Sequence, residues 1–186
     1  VVNQSVTLYD EITVSYTIFS PNGIELTTKE VKAKLAGNAS RDFETTFQLT
    51  DPQRWDIGQG VLYSMRTVVK RGQVVLDTTV TAFGIRTIRF DADHGFYLND
   101  RRVQLKGVNM HHDHGPLGAA FYPRAMERQL ELLKSMGCNA VRTSHNVAAP
   151  ELLDMCDSMG ILVLDEIFDK YDQKADIVDT TDFEDF

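Results

Sequence analysis

Apolar and polar residues alternate through most of the first half of the chain, from Ser5 to about Phe90. A period of two residues is typical of β-strands that bury one face, and short turns rich in Gly, Pro and Asn separate the alternating runs. The runs are residues 11–20, 24–31, 42–49, 61–69 and 73–83. We predict roughly six or seven antiparallel strands, which is the pattern of an immunoglobulin-like β-sandwich.

The second half of the chain has a different period. Residues 123–137 place Met126, Leu130 and Leu133 on one face of a helix. The predicted order of elements is strand 103–109, helix 123–137, strand 139–144, helix 150–160 and strand 161–166. Because strands that are apolar throughout are typical of parallel sheets covered on both faces, this order predicts a βαβαβ segment.

The length of this segment limits the fold that it can complete. An eight-stranded α/β barrel needs about 250 residues, so residues 103–186 can supply only about a third of one. A small open α/β sheet is the alternative. Its usual Gly-rich phosphate loop is missing, because the first strand runs into GVNMHHDHG.

Composition bears on partners more than on fold. The 186 residues carry 19 Lys and Arg against 27 Asp and Glu, a formal net charge of −8. This charge argues against nucleic acid or an anionic membrane as a partner and favours a neutral or cationic small substrate. Cys138 and Cys156 lie in apolar stretches without metal-like spacing, so we expect buried thiols and not a disulfide.

Polar residues gather where each predicted parallel strand ends. The carboxyl ends of parallel strands face one side of the sheet, so these residues should form a single site. They are Asn109, His111, His112, Asp113 and His114 after the first strand, Arg142, Ser144, His145 and Asn146 after the second, and Asp165, Glu166 and Asp169 after the third.

The HHDH run at residues 111–114 has three interpretations. Imidazole and carboxylate groups suit a metal ion, a polar substrate such as a sugar, or a structural hydrogen-bonded cluster. Adjacent residues on an extended chain point to opposite faces, so the four side chains cannot all address one point without a special turn.

The same alternation disfavours two catalytic arrangements. Ser144 and His145 cannot act together as nucleophile and base, because neighbours on a strand diverge and no G-x-S-x-G elbow is present. Asp165 and Glu166 cannot flank one glycosidic bond for the same reason. We expect one of these two acids to line the site and the other to pair structurally, for example with an arginine.

Four stretches together resemble a known family: FGIRTIRFD (83–91), LNDRRVQLKGVNMHHD (98–113), NAVRTSHN (139–146) and PELLDMCDSMGILVLDE (150–166). They resemble glycoside hydrolase family 2, the β-galactosidase and β-glucuronidase family, and most closely its bacterial β-galactosidase branch. The resemblance implies an immunoglobulin-like β-sandwich over residues 1–88, followed over residues 89–186 by the first βαβαβ third of a TIM barrel.

The resemblance also implies roles for individual residues. His111 and His145 would bind sugar hydroxyls, and Arg142 would hold the catalytic nucleophile ionised. The predicted set of substrate-binding residues is His111, Asp113, Arg142, His145, Asp165 and Glu166. One departure is that the family motif continues as S-H-Y-P, whereas Asn146 and Val147 stand here.

The implied metal site is not matched. Some β-galactosidases place a Glu and a His as magnesium ligands shortly after the third strand, and the corresponding positions here are Lys170 and Asp172. The resemblance thus leaves Mg²⁺ open as a cofactor of the family, but its ligand pattern is not matched here, and we assign no cofactor to this chain.

The implied activity is that of a retaining exo-β-glycosidase, specifically a β-galactosidase that hydrolyses terminal β-galactosides in carbohydrate breakdown. In this family the acid/base is the Glu of an Asn-Glu pair after the fourth barrel strand, and the nucleophile is a Glu after the seventh. The sequence contains no Asn-Glu dipeptide. We expect a fragment that is inactive by itself. A non-catalytic module that binds carbohydrate or protein, and a scaffold domain, remain alternatives.

Further expectations concern the stability of the two halves, the binding partners and the cellular compartment. The third strand would leave an unpaired sheet edge, so we expect the sandwich to be the more stable half and residues 167–186 to be poorly ordered. Trp55 should anchor a core or a contact between domains. A β-galactoside or related glycoside is the expected partner, a homo-oligomer is compatible with the sequence, and family habit favours the periplasm or cell surface over the cytoplasm.

Overall fold

The computed structural model describes residues 1–6 and 10–167. The chain divides into two compact units, the first being Val1–Val103 and the second beginning at Gln104. The predicted domain boundary after residue 88 stays a prediction. No helix among the described residues is long and apolar enough to cross a membrane.

The strands of the first unit are β1 (Val2–Asn3), β2 (Asp10–Phe19), β3 (Glu25–Leu35), β4 (Ala39–Ser40), β5 (Tyr63–Arg71), β6 (Val74–Phe83), β7 (Ile88–Asp91), β8 (Gly95–Leu98) and β9 (Arg101–Arg102). The elements of the second unit are β10 (Gly107–Met110), α1 (Pro123–Ser135), β11 (Ala140–Thr143), α2 (Pro150–Met159) and β12 (Leu162–Leu164), with a short 3-10 helix at Gly115–Leu117.

The first unit is sandwich-like, as predicted. Its main sheet is antiparallel with the strand order β3-β2-β5-β6, and β1 pairs with β4 in a separate small sheet. Alternate residues of β2 point into the core, where Ile12 and Val14 are buried with Leu35. The period of two in the sequence therefore places the apolar side chains of β2 on one face of the main sheet, while Ser15 and Thr17 on its other face are also buried.

The predicted strand at residues 42–49 is wrong. Half-buried and exposed side chains still alternate there, but the segment is not part of any strand. Tyr16 Oη donates a hydrogen bond to the Phe43 carbonyl oxygen at 2.6 Å, and the Lys29 ammonium group donates to the Thr46 carbonyl oxygen. Side chains of the sheet thus satisfy carbonyl groups that a strand would offer to a neighbouring strand.

Trp55 is a core anchor of the first unit, with 1% of its surface exposed. Its backbone N–H donates to the Ile85 carbonyl oxygen at 2.9 Å, and Asn99 Nδ2 donates to the Trp55 carbonyl oxygen at 3.0 Å. Arg86 lies over its ring, 4.5 Å from the ring centre. A Cβ atom placed on Gly84 would lie 3.0 Å from Trp55 Cβ, so a larger residue there would require the Trp55 side chain to shift by a few tenths of an ångström.

A three-stranded antiparallel sheet of β7, β8 and β9 was not predicted. Asp91 closes its first turn, since Asp91 Oδ1 accepts hydrogen bonds from the backbone N–H groups of Asp93 and His94 and lies 2.9 Å from His94 Nδ1. Arg89 Nη1 donates to Asp91 Oδ2 at 2.8 Å. The side-chain hydrogen bond from His94, followed by the other donors, lowers the pKa of Asp91 to about 2.

We expect Asp91→Asn to destabilise the first unit at neutral pH but not in strong acid. A carboxyl group whose pKa is lowered on folding stabilises the fold above its unfolded pKa of 3.8, and this stabilisation is lost as the pH falls to about 2. The melting temperatures of parent and variant, measured between pH 7 and pH 2, should therefore converge below about pH 4. A constant difference across this range would contradict the low pKa of Asp91.

The second unit contains the predicted βαβαβ arrangement. Its sheet is parallel with the order β10-β11-β12. The two helices cover one face of this sheet, and the shared core consists of Met126, Leu130, Val141, Ala148, Leu152, Cys156 and Ile161. The first strand begins at Gly107 and not at residue 103. A Cβ atom on Gly107 would lie 2.3 Å from the Ala140 carbonyl oxygen, so β10 and β11 approach closely at this glycine.

Both cysteines are free thiols. Cys156 lies in the helix–sheet core, and burial, with a smaller contribution from the charge of Asp157, raises its pKa to about 12. A thiol with this pKa stays protonated and behaves as a small apolar side chain. The expected disorder at residues 167–186 concerns positions outside the described residues, apart from Ile167, and the relative stability of the two halves stays a prediction.

Candidate functional site

Parallel pairing brings polar side chains together at the carboxyl ends of β10, β11 and β12. Asn109 is the register partner of Arg142, and Arg142 is the partner of Leu164. Arg142 Nη1 donates a hydrogen bond to Asn109 Oδ1 at 3.2 Å. The first two predicted clusters thus meet because the register places them side by side.

Glu166 joins the third cluster to the second. Glu166 Oε1 accepts a hydrogen bond from Arg142 Nε at 2.6 Å and also pairs with Arg142 Nη2. Glu166 Oε2 lies 3.0 Å from His145 Nδ1. The carboxylate is 22% exposed and lies between a guanidinium and an imidazole that are each 37% exposed. Both oxygens of Glu166 are therefore engaged within the protein.

The surroundings of Glu166 keep it ionised. Partial burial raises its pKa, but the hydrogen bonds and charges of Arg142 and His145 outweigh that effect and lower the pKa below its ordinary value. A general acid for glycoside cleavage needs a raised pKa, so Glu166 is unsuited to that role.

The Asp165 carboxylate has a different hydrogen-bond partner from the Glu166 carboxylate. Thr143 Oγ1 donates to Asp165 Oδ1 at 2.7 Å and accepts a hydrogen bond from the Glu166 backbone N–H at 2.9 Å. The two adjacent acids diverge, as predicted, and the arginine partner expected for one of them belongs to Glu166. Thr143 is a buried residue that the sequence analysis missed. Its only sequence signal is its place between Arg142 and Ser144.

His111 lies beside His145, with the ring centres 5.4 Å apart and the rings at 82°. Together with Asn109 and Asp113, His111 also lines an open cavity of about 390 Å³. Asp113 Oδ1 accepts a hydrogen bond from the Gly115 backbone N–H at 2.6 Å, so this acid also shapes the loop. The peptide bond between Ser144 and His145 is cis.

The other two histidines of the HHDH run face elsewhere. His112 and His114 line a separate cavity of about 80 Å³ with the apolar side chains of Phe121, Met126 and Leu152. The ring of His114 contacts Phe121 edge-on, with the ring centres 6.3 Å apart. The four residues therefore do not converge on one point, as the alternation predicted.

Metal binding finds no support in the described part of the chain. No group of three or more His, Cys, Asp or Glu residues within it could hold a metal ion. Asp169 and the positions matched to magnesium ligands, Lys170 and Asp172, lie outside the described residues. Whether His111, Asp113, Arg142, His145, Asp165 and Glu166 bind substrate stays a prediction.

Two family models match the chain in succession. The model described as "Glycosyl hydrolases family 2" matches residues 1–86. The model described as "Glycosyl hydrolases family 2, TIM barrel domain" matches residues 91–171. Together they account for both units of the structure.

Curated relatives agree with these matches. The chain is 44% identical over 182 residues to "Beta-galactosidase BoGH2A" of Bacteroides ovatus, an alignment that covers 94% of this chain and 21% of that protein. It is 39% identical over 137 residues to a "Putative beta-glucuronidase" of Formosa agariphila, covering 74% of this chain and 13% of that protein. The chain thus spans about a fifth or less of the length of these relatives.

Solved structures share the fold. A glycosyl hydrolase family 2 member from Bacteroides cellulosilyticus superimposes with a TM-score of 0.83 and 36% identity, over 86% of this chain and 22% of that one. A beta-glucuronidase from Bacteroides uniformis gives a TM-score of 0.83 and 29% identity, over 90% of this chain and 20% of that one.

Proposed function

We propose that this chain, which belongs to glycosyl hydrolase family 2, forms part of a retaining exo-β-glycosidase that releases terminal β-linked galactose. The observation that carries the proposal is the cluster of Arg142, His145 and His111 at the carboxyl ends of parallel strands. This edge of a TIM barrel is where its enzymes bind substrate. Similarity to a β-galactosidase over nearly the whole chain favours galactosides over glucuronides.

The cluster suits recognition of a neutral sugar. Imidazole nitrogens of His111 and His145 can donate to or accept from hydroxyl groups. Asp113 and Asp165 each use only one carboxylate oxygen, Oδ1, in the hydrogen bonds found among the described residues. The other oxygen of each acid can accept a hydroxyl hydrogen bond from the sugar. These residues would form one wall of the subsite for the terminal galactose.

Arg142 has donors left for a second carboxylate. Its Nε and Nη2 bond to Glu166, and its Nη1 bonds to Asn109. Each terminal nitrogen keeps another N–H bond that no described residue accepts. A guanidinium group held in this way can stabilise the ionised nucleophile that the resemblance places beside it.

The catalytic carboxylates are proposed to lie outside this chain. Retaining cleavage uses two carboxyl groups about 5–5.5 Å apart. Asp165 and Glu166 diverge, and no Asn-Glu pair occurs in the sequence. The 186-residue chain by itself would therefore position sugar hydroxyls without cleaving the glycosidic bond.

An assay of the natural protein that carries this sequence tests the proposal. We expect it to hydrolyse an aryl β-D-galactoside with retention and to leave an aryl β-D-glucuronide largely intact, whereas the isolated 186-residue chain should release no phenol. Loss of a substrate hydrogen bond costs about 1 kcal/mol or more, so His111→Ala should lower kcat/KM by roughly tenfold.

The adjacent histidine provides a matched control. His112 lines the separate apolar cavity, so His112→Ala should leave kcat/KM within about twofold of the parent value. Cleavage of the glucuronide alone would overturn the galactoside assignment. Turnover by the isolated chain would overturn the absence of catalytic carboxylates from it.

A further inference from the structure

Glu166 has the contacts of a group that positions other side chains. Its Oε1 accepts a hydrogen bond from Arg142 Nε, and its Oε2 lies 3.0 Å from His145 Nδ1. Its backbone N–H donates to Thr143 Oγ1 at 2.9 Å, and Thr143 itself is buried. The backbone of Glu166 is thus held by a buried residue, and both of its carboxylate oxygens are engaged.

We propose that Glu166 is a positioning residue that fixes one tautomer of His145, with the proton on Nδ1, so that Nε2 accepts a hydrogen bond from a sugar hydroxyl. This inference rests on the proposed glycosidase function for the identity of the hydroxyl donor. It replaces the expectation that Glu166 itself contacts substrate.

The tautomer follows from the protonation state of the carboxylate. An ionised carboxylate can only accept hydrogen bonds, so His145 Nδ1 must be the donor in the contact with Glu166 Oε2. A neutral imidazole with its proton on Nδ1 has a lone pair on Nε2. No described residue donates to that nitrogen, which leaves it for a hydroxyl group of the ligand.

The same carboxylate also orients Arg142. Two nitrogens on one side of the guanidinium bond to Glu166 Oε1, and Nη1 on the other side bonds to Asn109 Oδ1. Contacts on both sides restrict rotation of the guanidinium plane. One residue thereby sets the direction of two groups that would face the sugar and the nucleophile.

Nuclear magnetic resonance of the natural protein, labelled with ¹⁵N at histidine, tests the tautomer directly. Long-range ¹H–¹⁵N correlations distinguish the two tautomers, and a His145→Gln variant assigns the signals. We expect neutral His145 to carry its proton almost wholly on Nδ1 in the parent and to shift towards the Nε2–H tautomer in Glu166→Gln. A parent protein with the proton on Nε2 would overturn the inference, whatever the variant does.

Kinetics of the same variants give an independent readout. Glu166→Gln should lower kcat/KM on an aryl β-galactoside by about 10- to 100-fold, and Glu166→Asp should restore part of the loss because a carboxylate remains. Glu151→Gln, which removes an exposed carboxylate from the first turn of α2, should change kcat/KM by less than about twofold. An unchanged kcat/KM in Glu166→Gln would contradict the positioning role.

The outcomes separate this inference from the proposed function. If the natural protein cleaves no galactoside, the proposed function fails, yet the tautomer of His145 still tests the role of Glu166. If the protein cleaves galactosides but His145 carries its proton on Nε2, the function stands and the positioning role is wrong.

Discussion

Replacing Trp55 with alanine should lower the free energy of unfolding of the first unit by about 3–5 kcal/mol. The ring is almost fully buried, and Gly84 and Arg86 pack against it. Removing it deletes a large apolar contact and leaves a cavity that the surrounding strands can fill only in part. Loss of the Arg86 contact adds to the effect, because a guanidinium over an indole face is attracted to it.

Hydrogen exchange of the β2 and β5 amides in the natural protein measures this change. Amide exchange reports on the first unit directly and does not depend on tryptophan fluorescence, which the variant loses. Phe90→Ala is the matched control, because Phe90 is an aromatic side chain of the same unit that is 78% exposed. That variant should cost less than about 1 kcal/mol. Equal losses for the two variants would show that Trp55 does not anchor the core.

Replacing Arg142 with methionine should reduce kcat/KM on an aryl β-galactoside by about 100-fold or more. The change leaves the ionised Glu166, which is also the partner of His145, without its principal donor. It also removes the N–H bonds that would hold the nucleophile ionised. Arg142→Lys should recover little activity, because an ammonium group cannot bridge Glu166 and Asn109 in the same plane.

The control for Arg142 is Arg128→Met, which removes an exposed arginine from α1. We expect its kcat/KM to remain within about twofold of the parent value. Circular dichroism of each variant should establish that the fold is retained before rates are compared. A full rate for Arg142→Met would contradict the role of the guanidinium in the site.

Local periodicity in the sequence was enough to predict the main secondary-structure elements. The alternation of β2, β5 and β6 and the helical spacing of α1 appear in the structure near their predicted bounds. The family match and the order strand, helix, strand, helix, strand were likewise readable from the residues. These features are local because each depends on which face of a single element must be buried.

The secondary-structure predictions were wrong or missing where hydrogen-bond partners of the backbone, and not local periodicity, decide whether a segment is a strand. Residues 42–49 have a strand-like pattern, but Tyr16 and Lys29 bond to carbonyl groups of this segment. The sheet of β7, β8 and β9 escaped prediction because its strands are only two to four residues long. The alternation of apolar and polar residues can be recognised only in a strand longer than these.

The sequence by itself determined which residues follow the parallel strands at one edge of the sheet, because every parallel strand in this segment ends on the same side. Only the tertiary structure decided what those residues do to one another. Glu166 meets both Arg142 and His145, whereas the Thr143 hydroxyl group bonds to the Asp165 carboxylate and to the Glu166 backbone N–H. These contacts depend on the register between strands more than 20 residues apart, as the separation of 24 between Arg142 and Glu166 illustrates. Periodicity along one strand shows which of its faces is buried, but the pairing with one particular residue of a distant strand also depends on the connections and packing of the whole sheet.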